Sequence, residues 1–399
     1  MYHKLHDLHC RLNSLVIFRD ILNCRTIQSL DKLFKYISDS DIKQVKAYSD
    51  FVSNLYRHNN NLSSYILTLI LEDENIYMIK KAHKLEISDK MHDCLLNELS
   101  SLQQIAELTS EQVKSVIDYD GFLPDWDNSQ YNFKEEYKKR IDNIELYGYG
   151  IYAKYYMFIV KDSNILPVKY PDEIRLSDFI GYETQRKMII DNTLALINGK
   201  PAHNVLLRGD AGTGKSSSIK AIVNEYHDKG LRLIEIRKDQ IKDIPIIIDN
   251  LSKNPLKFIL FIDDLSFAKD DDNFGAFKAI LEGSVSAKAD NIAIYATSNR
   301  RHLVKENFSD RDGDDIHRND TIQEIISLSA RFGLCITFSK PDKNEYLNIV
   351  KGLARNKDIA MDMQELENQA ERFAMERGGR SARAAKQFIS VTLNPKRIS

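Results

Sequence analysis

Cysteine is scarce in this 399-residue chain. The four present (Cys10, Cys24, Cys94 and Cys335) are scattered, without CxxC spacing or metal-type pairing with histidine. A disulfide framework and a zinc site are thereby excluded as organising devices, and reduced thiols in a cytoplasmic protein are expected. Long apolar runs are missing too. The longest, "YILTLIL" (65–71), falls far short of the ~20 residues that span a bilayer, so no membrane partner is expected. The apolar run near the start is broken by Arg19 and Asp20 and leads to no small-residue cleavage site, so no secretory signal is expected. An excess of charge is also lacking. The net charge is −2, so no basic surplus marks nucleic acid or an anionic membrane as the main partner, although a local basic patch remains compatible with that balance.

What is present divides into three regions: 1–165, 166–339 and 340–399. In the first, stretches such as "LSSYILTLILEDENIYMIKKAHK" repeat apolar residues every three or four positions, the period of amphipathic helices. The tyrosine-rich "LYGYGIYAKYYMFIVK" (146–161) closes it. Without basic residues interleaved, these rings suit core or interface packing better than base stacking. "NILPVKYPDEIRL" (164–176), with Pro167 and Pro171, reads as an extended linker. Beyond it, the strand-like runs "NVLL", "LRLIEI", "KFILFI", "NIAIYAT" and "LCITF" alternate with helical segments. That alternation is the signature of an α/β fold, a parallel sheet sandwiched between helices. After Pro341, three helical patterns fill 342–393 and predict a small helical lid.

The run "GDAGTGKSS" (209–217) follows a buried strand, "HNVLLR", and opens a helix. Gly209, Gly214, Lys215 and Ser216 occupy the places of G-x-x-x-x-G-K-[ST], the P-loop. Glycines allow a tight turn whose backbone N–H groups point inward and cradle phosphate oxygens. The cradle spans Gly209, Asp210, Ala211, Gly212, Thr213, Gly214, Lys215, Ser216 and Ser217, and the helix that follows adds the positive end of its dipole. Lys215 is expected to reach the β- and γ-phosphates and the Ser216 hydroxyl to bind Mg²⁺. About fifty residues on, "FILFIDD" (258–264) is an apolar strand ending in two acids. Asp263 would hold Mg²⁺ through water, and Asp264 would polarise an attacking water.

With "FILFIDD" followed by "NIAIYATSNRR" (291–301), residues 172–395 resemble the AAA+ ATPases. The resemblance implies that the strand ending in Asn299 lies between the two phosphate-site strands, Asn299 contacting the γ-phosphate and the attacking water as sensor 1. It implies that Arg331, in "EIISLSARFGLCITF" (324–338), is an arginine finger acting on a neighbouring subunit's nucleotide in a homo-oligomer. In "GGRSARAAKQFIS" (378–390), Arg383 fits the sensor 2 helix phase, with Arg380 the alternative. In "LSDFIGYETQRKMI" (176–189), Ile180 and Gly181 would line the adenine, which favours ATP over GTP. The pattern "YATSNRRHL", "ISLS-RFGL" and "KNEYLNIV" is most similar to the bacterial domain of unknown function family 815. Between these elements lies an acidic insertion, "KENFSDRDGDDIHRND" (305–320).

The chain departs from the AAA+ pattern in one place that matters: Asp264 stands where most members carry glutamate. An aspartate is one methylene shorter, so slow hydrolysis is one expectation. No aromatic pore loop is evident in 264–277, although Phe267 or Phe274 could project. The reading is therefore a Mg²⁺-dependent ATPase that acts on an unidentified protein client. The alternatives are a nucleotide-switched scaffold with negligible hydrolysis and a DNA-directed ATPase resembling helicase loaders. For the last, "SNRRHLVK" supplies a modest basic cluster. A small-molecule P-loop kinase ranks below these, because the lid here is a separate C-terminal domain.

Overall fold

The computed structural model describes residues 1–267, 272–282, 289–299, 330–359 and 361–393. The chain forms two compact units, Met1–Lys154 and Tyr155–Ser399.

The first unit is helical. Its longer helices are Tyr2–Asn13, Arg25–Tyr36, Asp41–Tyr56, Leu62–Glu72, Asp89–Ala106 and Phe133–Asp142. Asn61, Asn75, Ser88, Thr109 and Asn132 each accept a hydrogen bond from a first-turn N–H, which satisfies donors that a helix start otherwise leaves open. The apolar faces close on one core that includes Phe18, Phe51, Trp126 and Tyr137. Burying each such side chain contributes about 1.5–3 kcal/mol. Two buried polar groups of the unit illustrate how such groups are paired, although the buried Arg140 Nε has no hydrogen-bond partner among the described residues. The Glu98 carboxylate accepts from the N–H groups of Val16, Ile17 and Phe18 at 2.8–3.1 Å, and Trp126 Nε1 donates to the Leu108 carbonyl at 2.9 Å. In the tyrosine-rich stretch, Tyr149 is buried and the Arg140 guanidinium lies 4.7 Å from the Tyr147 ring centre, which is packing rather than an open stacking platform.

The second unit is built on a seven-stranded sheet: β1 (Met157–Lys161), β2 (Asn164–Pro167), β3 (Val205–Gly209), β4 (Leu231–Glu235), β5 (Lys257–Ile262), β6 (Ile292–Ser298) and β7 (Leu334–Phe338). The spatial order is β2-β1-β4-β5-β6-β3-β7, and every pairing is parallel except β1 with β2. Five strands coincide with the five runs legible in the sequence. Their central members are buried on both faces, which is why they read as unbroken apolar segments. β6 lies between β3 and β5, as the AAA+ resemblance implies.

The boundary at 165 needs correction. The sheet begins at Met157, because "MFIV" is a strand pairing parallel with β4, and 164–167 of the expected linker is the edge strand β2. Pro167 ends that edge strand, where a missing N–H costs no ladder bond to an inner neighbour. Phe267 does not project, and the partly buried Phe274 packs against it. Phe267 is 1% exposed, edge-on to Phe274 at 5.4 Å and beside Phe277 at 6.0 Å.

Three helices follow β7: Lys343–Arg355, Met363–Glu376 and Ala382–Leu393, packed around Tyr346, Val350, Ala370 and Ala385. Asp342 and Glu345 form a reciprocal capping box at the start of the first. No described helix is long and apolar enough to cross a membrane, and no described cluster of His, Cys, Asp or Glu could by itself hold a metal ion. The acidic insertion 305–320 and the basic residues 300–305 lie outside the described residues.

Candidate functional site

β3 runs into a loop that turns back on itself before the helix Lys215–Tyr226. Only glycine fits its first position. Gly209 has φ +131°, and a Cβ there would stand 2.1 Å from the Phe338 carbonyl oxygen. The loop is pinned to β7 next door: Asp210 N–H donates to the Phe338 carbonyl at 3.0 Å, and the Asp210 carboxylate accepts from Lys340 N–H at 2.9 Å. Thr213 Oγ1 closes the turn by donating to the Asp210 carbonyl at 2.9 Å. Among the described residues, no backbone N–H from Ala211 to Ser217 donates to a protein acceptor. The helix N-terminus therefore presents a set of uncommitted donors together with its dipole.

Lys215 lies beneath this turn, 5% exposed. Its ammonium donates to the carbonyls of Gly209 (3.0 Å) and Asp210 (2.7 Å) and to Asn299 Oδ1 (2.9 Å). Burial holds its pKa below the usual lysine value, while the carboxylates of Asp210, Asp263 and Asp264 pull the other way.

Ser216, one residue on, donates to Asp263 Oδ1 at 2.6 Å. A hydroxyl and a carboxylate so joined form a hard-oxygen donor pair of the kind Mg²⁺ takes. Asp264 has φ +51°, uncommon for a residue with a side chain, and its carboxylate accepts from Asn299 Nδ2 at 2.8 Å.

These groups surround a cavity of about 450 Å³. Of the residues picked out from the sequence, Ala211, Gly212, Gly214, Lys215, Ser216 and Ser217 line it. From other elements, Asp263, Asp264, Asn299 and Arg383 also line it. The lid reaches the loop directly: Arg383 N–H donates to the Gly212 carbonyl at 3.0 Å. Gly209, Asp210 and Thr213 shape the turn from outside that lining.

Two expectations are placed differently, while Arg331, expected to serve a neighbouring subunit, lies away from the loop cavity of its own chain. Arg380, the alternative to Arg383, is turned to Glu371, with Nε and Nη2 donating at 2.9 and 2.7 Å to its two oxygens, because a fork-shaped guanidinium and a carboxylate pair in two parallel bonds. Ile180 and Gly181 line a second cavity, about 600 Å³, with Tyr182, Lys340, Glu345 and Ile349, instead of the one at the loop. Close packing on the first lid helix holds them there: Ile180 abuts Gly352, and Gly181 faces Ile349. Arg331 Nε donates to Glu282 Oε1 at 2.6 Å.

The sequence reading missed Phe179, Lys386, Gln387 and Thr297. Phe179 closes the cavity wall, with Lys386 Nζ 5.2 Å from its ring centre. Lys386 and Gln387 follow Arg383 by three and four residues, a spacing that places them on one helix face and could have revealed them. Thr297 is buried and joins the two acids by hydrogen bonds.

No curated protein matches the chain. Among solved structures it is similar to the Holliday junction branch migration motor RuvB of Thermotoga maritima, at 14% identity and a TM-score of 0.33, over 54% of this chain and 71% of that one. A family model described as "protein of unknown function (DUF815)" matches residues 153–395, well over half the chain, and the chain belongs to that family.

Proposed function

We propose that the chain binds ATP with Mg²⁺ at the 209–217 loop and hydrolyses it, coupling turnover to movement of the helical lid and so to a protein client. One observation carries this reading: uncommitted loop amides, the Lys215 ammonium, the Ser216–Asp263 pair and the Asp264–Asn299 pair converge on a single cavity. Backbone donors and an ammonium suit a triphosphate, whose charge would also offset the burial of Lys215. Ser216 and Asp263 would hold the metal, which supplies charge neutralisation to the phosphates when bound. In this reading Asp264 orients the attacking water and Asn299 supports it, since one amide both donates and accepts. Arg383 carries the lid's response to the nucleotide through its contact with the loop. Arg331 completes the site of an adjacent copy, exchanging Glu282 for phosphate.

A second reading, a nucleotide-switched scaffold with negligible hydrolysis, is favoured by Asp264. Its short side chain is already engaged by Asn299 and its backbone is in the left-handed region. Phosphate release measured across a range of protein concentrations separates the two. Turnover rising cooperatively with concentration supports an assembling ATPase, and tight binding without release supports the switch.

A further inference from the structure

Thr297 lines no part of the cavity and is 1% exposed, yet its two oxygens make three hydrogen bonds that hold the acidic turn. Its hydroxyl donates to Asp263 Oδ1 at 2.5 Å and accepts from the Asp264 N–H at 2.9 Å. Its carbonyl accepts from the Leu265 N–H at 2.7 Å. β6 and β5 are parallel neighbours with Ala296 opposite Ile262, so the next residue on each strand, Thr297 and Asp263, meet at the sheet's carboxyl edge.

We propose that Thr297 is the positioning residue of the metal site. It fixes the rotamer of Asp263 and the backbone of Asp264 in one hydrogen-bonded unit, so that both acids face the phosphate loop before any ligand arrives. The inference rests on the ATP–Mg²⁺ reading above and extends it to a residue that touches neither ligand.

The chemistry singles out threonine. Asp263 Oδ1 accepts from Ser216 at 2.6 Å, from Thr297 at 2.5 Å and from the Asp264 N–H at 3.1 Å. Three donors on one oxygen lock the carboxylate plane and leave Oδ2 outside this set of bonds. Without the Thr297 hydroxyl, Asp263 would keep Ser216 as its only side-chain donor, a partner that must itself turn its oxygen to the metal. The Asp264 N–H would lose its better acceptor at a residue with φ +51°. Outer partners of this kind usually set metal affinity by about 10–100-fold.

The test compares Thr297→Val, which keeps the shape and removes the hydroxyl, with Thr297→Ser, which keeps the hydroxyl. A fluorescent ATP analogue is titrated into each full-length protein in EDTA and across a Mg²⁺ series, with circular dichroism as the control for folding. The expected result is EDTA-state affinity within about twofold of wild type for both variants, a Mg²⁺ midpoint raised at least tenfold in Thr297→Val, and a near-normal midpoint in Thr297→Ser. An unchanged midpoint in folded Thr297→Val overturns the proposal, as does an equal shift in both variants, which would mark a packing role. Failure of the wild type to bind the analogue under any condition refutes the nucleotide reading itself, a result distinct from either.

Discussion

Asn299 ties Lys215 to Asp264: its Oδ1 accepts from the Lys215 ammonium at 2.9 Å and its Nδ2 donates to Asp264 Oδ1 at 2.8 Å. The cation suited to phosphate and the acid suited to water therefore share one amide. In the proposed reading, a phosphate that draws Lys215 away from Asn299 would alter the hydrogen bonding of Asp264 as well.

Asn299→Ala is expected to keep ATP affinity within a few-fold, because Lys215 retains two backbone carbonyls. Turnover should fall by about 10²–10³-fold, the usual consequence of removing one preorganised donor. Paired binding and phosphate-release assays check this, and a large loss of affinity with unchanged turnover would reverse the assignment.

Arg331 pairs with Glu282 and stays out of the cavity of its own chain. Arg331→Ala should spare ATP binding and lower turnover by about 10³-fold if the side chain serves a neighbouring copy. Turnover equal to wild type at every protein concentration would remove Arg331 from the chemistry.

Gly209→Ala should be poorly tolerated, since the new methyl would meet the Phe338 carbonyl at 2.1 Å on backbone with φ +131°. Loop and β7 would have to part, breaking the Asp210–Phe338 hydrogen bond as well. Thermal unfolding should show a clear fall in Tm together with loss of nucleotide binding. A variant with unchanged Tm would contradict the packing described for the turn.

The N-terminal unit carries a separate prediction. Burial, reinforced by the neighbouring charges of Asp20, Glu74 and Glu98, pushes the Asp73 carboxyl up to about 6 from 3.8, while the bond from Asn75 opposes this. Between these values the folded protein keeps a proton that the unfolded chain has released. Its contribution to stability therefore falls as pH rises through that window, and above it the buried charge is a constant cost. Asp73→Asn, which can still accept from Asn75, should raise the Tm at pH 7.5 and lose that advantage near pH 4. A Tm difference independent of pH would show that Asp73 ionises as it does in water.

Much of the second unit was legible because its physics is local. A parallel strand buried on both faces must be apolar throughout, so the central strands β3, β5 and β6 announced themselves, and Gly209 stands where a side chain would collide. β1 was obscured because it closes the tyrosine-rich run, and β2 because Pro167 made it read as a linker, whereas pairing with β4 and with β1 makes them strands. Thr297 could not be found from spacing. Its role depends on the β5–β6 register, which sets two tips side by side across 34 residues of chain. The choice between Arg380 and Arg383 turned on which one Glu371 captures, and that acid lies on a different helix.

The central claim is that the 209–217 loop receives a triphosphate. Calorimetric titration of Mg²⁺–ATP into the full-length wild type and into Lys215→Ala tests it most directly. The account predicts saturable binding to one site per chain in the wild type and none in the variant; equal affinity in both proteins would contradict it.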